Sequence, residues 1–262
     1  LLEFRKTNPD GVALCGDLVE STRVQAFAEA YPERYFEMGV AEQNMAGVAA
    51  GLALSGKIPF ISSYAVFSPG RNWDQIRVSI CYSGANAKIV GAHAGISVGP
   101  DGATHQALED VAITRVLPNM VVVVPTDSVE AKKATLAIAK HVGPCYIRFG
   151  REKTPVITKA ETPFELGKAL PILAGDDVTI IANGQMVYRA MMAAKQLEGK
   201  ISVGVLNMHT VKPIDAKAII DAAKQTGAIV TAEEHQIIGG LGSAVAEVLG
   251  DHHPVPLERV GI

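Results

Sequence analysis

Short, β-branched apolar stretches alternate with helical patterns along nearly the whole chain, and this alternation limits the available folds more than any other feature. VALCGDL (12–18), PFISSY (59–64), KIVGAH (88–93), MVVVVP (120–125) and CYIRF (145–149) read as strands. STRVQAFAEAY, EQNMAGVAAGLALS, WDQIRVSICYS, HQALEDVAITRV and SVEAKKATLAIAKHV lie between them with helical spacing. Strands that are apolar on both faces and separated by helices imply parallel pairing, because each face of such a sheet must be covered. In SVEAKK, Ser128 is expected to cap its helix after Pro125, with acidic Glu130 in the first turn.

Near residue 150 the texture changes. REKTPVITKAETPF holds two prolines, mixed charge and little periodicity, the composition of a linker. The alternation then resumes through DVTIIA, MVYRAMMAAKQLE, ISVGVLNM, AKAIIDAAKQT, AIVTAEE, LGSAVAEVL and VPLERVGI. The expected fold class is α/β, with two mostly parallel-sheet domains over 1–155 and 163–262 and a linker at 156–162.

With 48% apolar and 19% charged residues, the 262-residue chain can build a sizeable core. The 24 basic and 27 acidic residues are well mixed, so no basic stripe suggests a nucleic-acid partner. Cys15, Cys81 and Cys145 are far apart and read as buried small hydrophobes in a reducing compartment. No apolar run approaches the ~18–20 residues of a membrane span, and Glu3, Arg5, Lys6 and Asp10 break up any signal peptide. The opening Leu-Leu-Glu-Phe resembles the middle of a helix, so an earlier N-terminus is expected. A soluble, cytoplasmic protein without membrane association follows as the expectation.

Several chemistries lack their residues. There is no G-x-x-x-x-G-K-[ST], no H-E-x-x-H and no G-x-S-x-G, and the seven histidines show no ligand pairing at helical spacing. IIGGLGSA (237–244) fails G-x-G-x-x-G at its last position. Lying between a strand and a helix, it could bind an anion or simply make a tight turn with close backbone approach, and the turn is favoured.

Two places draw attention. In YFEMGVAEQNM (35–45), Glu42 stands at the mouth of an otherwise apolar helix. It could answer the helix dipole, lie on a solvated edge, or serve chemistry. GAHAGISVGPDGATHQALED (91–110) follows a strand directly and carries glycines, His93, Asp101 and His105. Such loops at the carboxyl ends of parallel strands bind ligands in α/β proteins. The imidazoles and carboxylate can move protons near neutral pH. The same residues would also serve as a plain turn at Pro100-Asp101-Gly102.

Taken together, these segments resemble the transketolase type of thiamin-diphosphate enzyme. GDLVES, MGVAEQNM, HAGISVGPDGATHQALEDVA, LPNMVVVVPTD and EEHQIIGGLG match that family in order over nearly the whole chain, and GPDGATHQ is its most specific element. His93, twelve residues before His105, points to transketolase rather than to the deoxyxylulose-phosphate synthases. The resemblance implies transfer of a two-carbon ketol unit from a ketose phosphate to an aldose phosphate. A synthase with another donor, or a non-catalytic binding module, are the rival readings.

The resemblance also implies roles. Glu42 would activate the cofactor by sharing a proton with its pyrimidine N1′, a task helped by an apolar setting. Tyr64 and Phe67 would flank the pyrimidine, with Asp17 nearby. His93 and His105 would contact hydroxyls and move protons, and Asp101 would read a substrate hydroxyl. Ser21 and Arg151 would hold the sugar phosphate, with Arg148 close enough to compete. Small residues Gly47, Ala50 and Gly51 would admit another helix, in keeping with self-association through this domain.

The departures are equally specific. No G-D-G occurs, so this sequence offers no ligands for the divalent metal, such as Mg2+, that holds the diphosphate. The family's phosphate-contacting arginine would precede Leu1. A third pocket aromatic is replaced around Pro69 and Gly70. The implied arrangement is the C-terminal subunit or section of a split transketolase, with diphosphate and metal on an N-terminal partner subunit.

Overall fold

A computed structural model describes all of residues 1–262. The chain divides into two compact units, residues 1–122 with 134–151, and residues 123–133 with 152–262. The α/β expectation holds: each unit is built on a mostly parallel sheet.

The first unit begins with α1 (Leu2–Thr7), β1 (Gly11–Cys15), α2 (Gln25–Ala30), β2 (Tyr35–Glu37), α3 (Glu42–Leu54) and β3 (Ile58–Tyr64). A short α4 (Trp73–Gln75) runs on as a π-helical stretch, Ile76–Tyr82. Then come β4 (Lys88–Ala92), α5 (Asp110–Arg115), β5 (Val121–Val123) and β6 (Cys145–Arg148), with α6 (Ser128–Lys140) shared between the units, its first six residues counting with the second. The strands lie in the order β5-β6-β4-β3-β1-β2. β1 pairs in parallel with β2 and β3, β3 with β4, and β4 with β6. Every residue of β1 and β4 is buried, which explains why these stretches read as continuous apolar runs. Leu14, Met45, Phe60, Ile61, Ile76, Ile80 and Ile89 are almost wholly enclosed, and each such side chain stabilises by roughly 1.5–3 kcal/mol.

Because these strands run parallel, their carboxyl ends lie along one edge. The segments following β1, β2, β3, β4 and β6 carry Asp17 and Ser21, Glu42, Phe67, His93 and Arg151 respectively. Glycine is obligatory on one of these strands. A Cβ at Gly91 would fall 2.1 Å from the Tyr146 hydroxyl. That hydroxyl donates to Asp110 Oδ2 at 2.6 Å, and Arg148 Nε donates to the same oxygen at 2.8 Å.

Several local expectations are corrected. The helix expected over 21–31 shrinks to α2, preceded by Arg23 with φ +60°. Only Asp110–Arg115 of HQALEDVAITRV is α-helical. The cap of α6 is Asp127 rather than Ser128: Asp127 Oδ1 accepts from the amides of Val129 at 3.0 Å and Glu130 at 2.9 Å.

The second unit contains β7 (Leu170–Leu173), β8 (Val178–Ala182), α7 (Met186–Gln196), β9 (Val203–Asn207), β10 (Thr210–Lys212), α8 (Ala216–Thr226), β11 (Ile229–Ala232), α9 (Leu241–His252) and β12 (Leu257–Val260). Its sheet runs β12-β11-β8-β9-β7, parallel except where β7 meets β9 antiparallel. The stretch expected as a linker is tied down. The amides of Ile157 and Thr158 donate to Asp127 Oδ2 at 2.8 and 2.7 Å, and Lys133 Nζ donates to the carbonyls of Lys159 and Thr162. The IIGGLGSA turn receives an anion from its own chain. Glu233 accepts from the amides of Leu241 and Gly242 at 2.7 and 2.8 Å, and a Cβ at Gly240 would sit 2.1 Å from Glu233 Oε2. No helix is long and apolar enough to cross a membrane. All three cysteines are free and buried.

Candidate active site

Glu42 is the first residue of α3, so the helix dipole favours its charge there. It is not on a solvated edge: the side chain is 1% exposed. Nor is its setting wholly apolar, as the sequence suggests. Arg71 Nη1 donates to Glu42 Oε2 at 2.8 Å, while Ser63 Oγ approaches Oε1 only at 3.5 Å. The buried Asn72 amide anchors the backbone by donating to the Glu42 carbonyl at 3.2 Å. A Cβ built on Gly16 would lie 3.9 Å from Glu42 Cγ, which brings the β1 carboxyl end beside this carboxylate.

Arg71 is the residue that sequence reasoning missed. Its guanidinium carbon sits 4.4 Å from the centroid of Phe67, a cation–π contact. A Cβ at Gly70 would strike the Val66 carbonyl at 2.1 Å. No side chain can therefore stand at position 70, and the guanidinium of the next residue covers Phe67. One signal could have exposed Arg71: a buried carboxylate at Glu42 calls for a nearby cation.

The aromatic groups form a continuous wall. Tyr64 stacks on Phe67 with centroids 6.2 Å apart and on His93 at 4.3 Å. His105 meets Phe67 edge-on at 5.3 Å and Tyr64 at 6.0 Å. His93 follows β4 with φ +53°, an unusual conformation for a non-glycine residue that turns the chain into the glycine-rich loop. Its Nδ1 is buried and has no hydrogen-bond partner. Burial and the positive field of Arg151 hold this imidazole below its ordinary pKa, with Asp101 opposing them. His105 Nδ1 pairs with Thr104 Oγ1 at 2.8 Å.

Ser21, Arg23, His93, Phe149 and Arg151 line one cavity of about 610 Å³. Arg151 Nη1 bonds Asp101 Oδ2 at 3.2 Å and also donates to the Val98 carbonyl. Arg148, by contrast, is buried and committed to Asp110. Asp17 sits in a turn with φ +60°, its amide donating to Glu37 Oε1 at 2.7 Å. Glu37 does not stand out in the sequence, yet it also accepts from the Gly39 amide at 3.0 Å and the Tyr35 hydroxyl at 2.5 Å. No three His, Cys, Asp or Glu side chains gather into a metal-binding group.

The chemistry on offer is a buried carboxylate beside a stacked aromatic wall, followed by imidazoles and a cavity with two arginines. A flat heteroaromatic ring carrying a hydrogen-bond donor suits the first part. The unpartnered His93 Nδ1 suits a hydroxyl at the second.

Comparisons with known proteins agree in one direction. Residues 1–156 match the family described as "Transketolase, pyrimidine binding domain", and residues 167–262 match "Transketolase, C-terminal domain". The chain is 47% identical over 263 residues to a Clostridium protein named "6-deoxy-6-sulfo-D-fructose transketolase subunit SqwH", covering 100% of this chain and 82% of that one. It is 41% identical to a subunit of the apulose-4-phosphate transketolase of Phocaeicola vulgatus, covering 100% of this chain and 84% of the relative. A solved structure described as "Split gene transketolase, inactive beta4 tetramer" superposes with a TM-score of 0.92 at 48% identity, covering 100% of this chain and 86% of that one.

Proposed function

The chain belongs to the transketolase family, and on that premise we propose that it transfers a two-carbon ketol unit from a ketose phosphate to an aldose phosphate as the cofactor-activating subunit of a split enzyme. The observation that carries the reading is Glu42, a nearly inaccessible carboxylate at the start of α3 with Ser63 beside it and Arg71 linking it to the Phe67 face. Thiamin diphosphate, when bound, would supply a carbanion-stabilising centre.

The chain's own residues do the rest. Glu42 would hold a proton shared with the pyrimidine N1′, and Tyr64 and Phe67 would flank that ring, with Asp17 shaping the adjoining turn. His93 and His105 exchange protons with substrate hydroxyls. Asp101 reads a hydroxyl through whichever oxygen Arg151 leaves free, and Ser21 and Arg151 bind the terminal phosphate.

The diphosphate and its Mg2+ would fall to an N-terminal partner subunit, a reading supported by the relatives named as transketolase subunits and by the split-gene transketolase structure. The exposed face of α3, where a Cβ at Gly47 or Gly51 would meet open space, supports self-association. Of the expected small residues, Ala50 faces inward instead. The relatives named for sulfofructose and for apulose phosphate leave the sugars of this chain as part of the proposal. A cytoplasmic location goes with sugar-phosphate chemistry.

The test is calorimetric titration of thiamin diphosphate and magnesium into this chain, alone and with a G-D-G-containing partner. The chain alone is expected to bind weakly, and the pair tightly with turnover. Tight magnesium-dependent binding by the isolated chain would defeat the split-subunit reading.

A further inference from the structure

Arg71 makes both of the contacts that an aminopyrimidine would need. It donates to Glu42 Oε2 at 2.8 Å, and its guanidinium carbon lies 4.4 Å from the Phe67 centroid. Resting on the cofactor reading above, we infer that Arg71 competes with the cofactor's pyrimidine ring for Glu42 and Phe67 and must swing away before the ring can bind.

Three features make the exchange workable. Arg71 is 46% exposed, so its guanidinium can rehydrate once released, whereas Glu42 is 1% exposed and has no route to water. A carboxylate that deeply buried cannot be left without a donor, a loss that costs more than the pair itself is worth. Ser63 at 3.5 Å is too distant to serve alone. The neutral aminopyrimidine N1′ is an acceptor, so the arginine leaves only when one proton taken up from solvent lies between the incoming ring and the Glu42 carboxylate.

The second feature is the face of Phe67. A flat guanidinium and a flat heteroaromatic ring stack on it in the same way, so neither can bind there while the other stays. The third is Gly70, whose close packing on the Val66 carbonyl leaves no side chain at position 70 to hold Arg71 in place. Together these set a rule of entry. A ring must both stack and share that proton with Glu42 to displace the arginine; an apolar ring satisfies only half of this and is excluded.

The test uses the whole chain and the hydroxymethyl aminopyrimidine that forms one half of the cofactor. Ligand-observed NMR gives its Kd for the natural chain, Arg71→Met, Arg71→Lys and Glu42→Gln. Arg71→Met should bind the probe about tenfold more tightly, the scale of a partly exposed ion pair with one buried member. Arg71→Lys should fall between, and Glu42→Gln should lose binding. In the natural chain, the Arg71 Nε–H resonance should lose its ring-current shift as the probe saturates, a readout that needs no variant to fold. Equal or weaker binding by Arg71→Met, or a resonance that stays shifted at saturation, would make Arg71 a fixed wall of the pocket and overturn the inference. If the natural chain binds the probe through Glu42 while Arg71→Met changes nothing, only the competition fails. If no form binds the probe, with the G-D-G-containing partner present as well as without it, the cofactor reading fails with it.

Discussion

The rings of Tyr64 and His93 lie face to face, with centroids 4.3 Å apart and planes 25° from parallel. Tyr64 ends β3 and His93 follows β4, and the two strands are in register with Tyr64 opposite Ala92. The sheet therefore sets the spacing of this pair, and the aromatic wall inherits its rigidity from backbone pairing. The imidazole is thereby held where its charge depends on the neighbouring cavity.

The first prediction concerns that charge. Burial and Arg151 lower the His93 pKa and Asp101 raises it. Removing a lowering influence raises the midpoint, so Arg151→Gln should move the His93 NMR titration upward. Asp101→Asn should move it downward, because Arg151 keeps its bond to the Val98 carbonyl. The unfolded chain binds the proton more readily here, so this group's contribution to stability is lost as pH falls below about 6.5. Shifts of the opposite sign would show that the loop 97–103 does not hold Asp101 and Arg151 near the ring.

A second prediction tests Glu42 directly. In the partner-reconstituted enzyme, Glu42→Gln should retain the fold and lose ~10²–10⁴ of turnover, the usual cost of removing a proton-transfer group. The amide can still accept from Arg71 Nη1, so the ion-pair geometry is kept in outline. Near-normal turnover would reduce Glu42 to a helix-terminus residue.

The strands were legible because burial on both faces writes itself as apolar runs, as in β1 and β4. Glu42 and the 91–110 loop were legible because a carboxylate or histidine beside glycines is conspicuous. What escaped were partners whose roles depend on distant chain. Arg71 lies 29 positions from Glu42, and Asp127 reaches Ile157 across 30. Pattern reading within a window cannot see such bonds. Ser128 reads as the cap and Asp127 is the cap for a local reason: both residue types are good caps, and only the geometry of the turn decides between them.

The third prediction is a pH dependence of stability in the second unit. Glu130 is enclosed, accepting from the Thr126 amide at 2.7 Å and Asn207 Nδ2 at 2.8 Å, and burial pushes its pKa up to about 7. Its folded pKa lies above its unfolded value, so the folded state holds the proton more firmly. Stability should then fall as pH rises from about 4.5 to about 7, by roughly 3 kcal/mol from this group, and level off above. A protonated Glu130 can donate to the Asn207 Oδ1, which otherwise has no partner, after a turn of that amide. Urea denaturation at a series of pH values should show the slope, and Glu130→Gln should flatten it. An unchanged slope in the variant would place the titration elsewhere.

Asp127 gives a fourth prediction, of opposite sign. Although burial raises its pKa, its hydrogen bonds to Glu130, Thr158 and Ile157 hold the carboxyl below its ordinary value. The stability it contributes is present above about pH 3.8 and is lost as pH falls through the lowered pKa. Asp127→Ala removes the cap of α6 and frees the amides of 157 and 158. The cap alone is worth ~0.5–2 kcal/mol, so the total loss should exceed that. Differential scanning calorimetry and proteolysis between 152 and 165 would measure both effects; intact resistance to proteolysis would mean that other contacts hold this segment.

The last prediction separates transketolase from its synthase relatives through Asp101. A ketose donor presents a row of hydroxyls, and each one left unpaired once buried costs roughly 1–3 kcal/mol. Asp101 Oδ2 is engaged by Arg151 at 3.2 Å, while the carboxylate is about a third exposed, so its other oxygen can reach substrate. Asp101→Ala should therefore lower kcat/KM for hydroxylated ketose donors by about tenfold to a hundredfold, and far less for hydroxypyruvate, which has a carboxylate where a ketose has its hydroxylated C3. The substitution also removes a partner of Arg151, which could weaken phosphate binding by itself. Asp101→Asn resolves this, since the amide still meets a hydroxyl but no longer balances the guanidinium charge. If hydroxyl recognition is the role, Asn should recover most of the ketose activity that Ala loses. If support of Arg151 is the role, Asn should be nearly as poor as Ala, and the loss should disappear with unphosphorylated ketoses. His93→Ala should impair both donors. Equal losses on both donors for Asp101→Ala would mean that the loop only shapes the pocket. Turnover of pyruvate with glyceraldehyde phosphate, but of no ketose phosphate, would move the chain to the synthases.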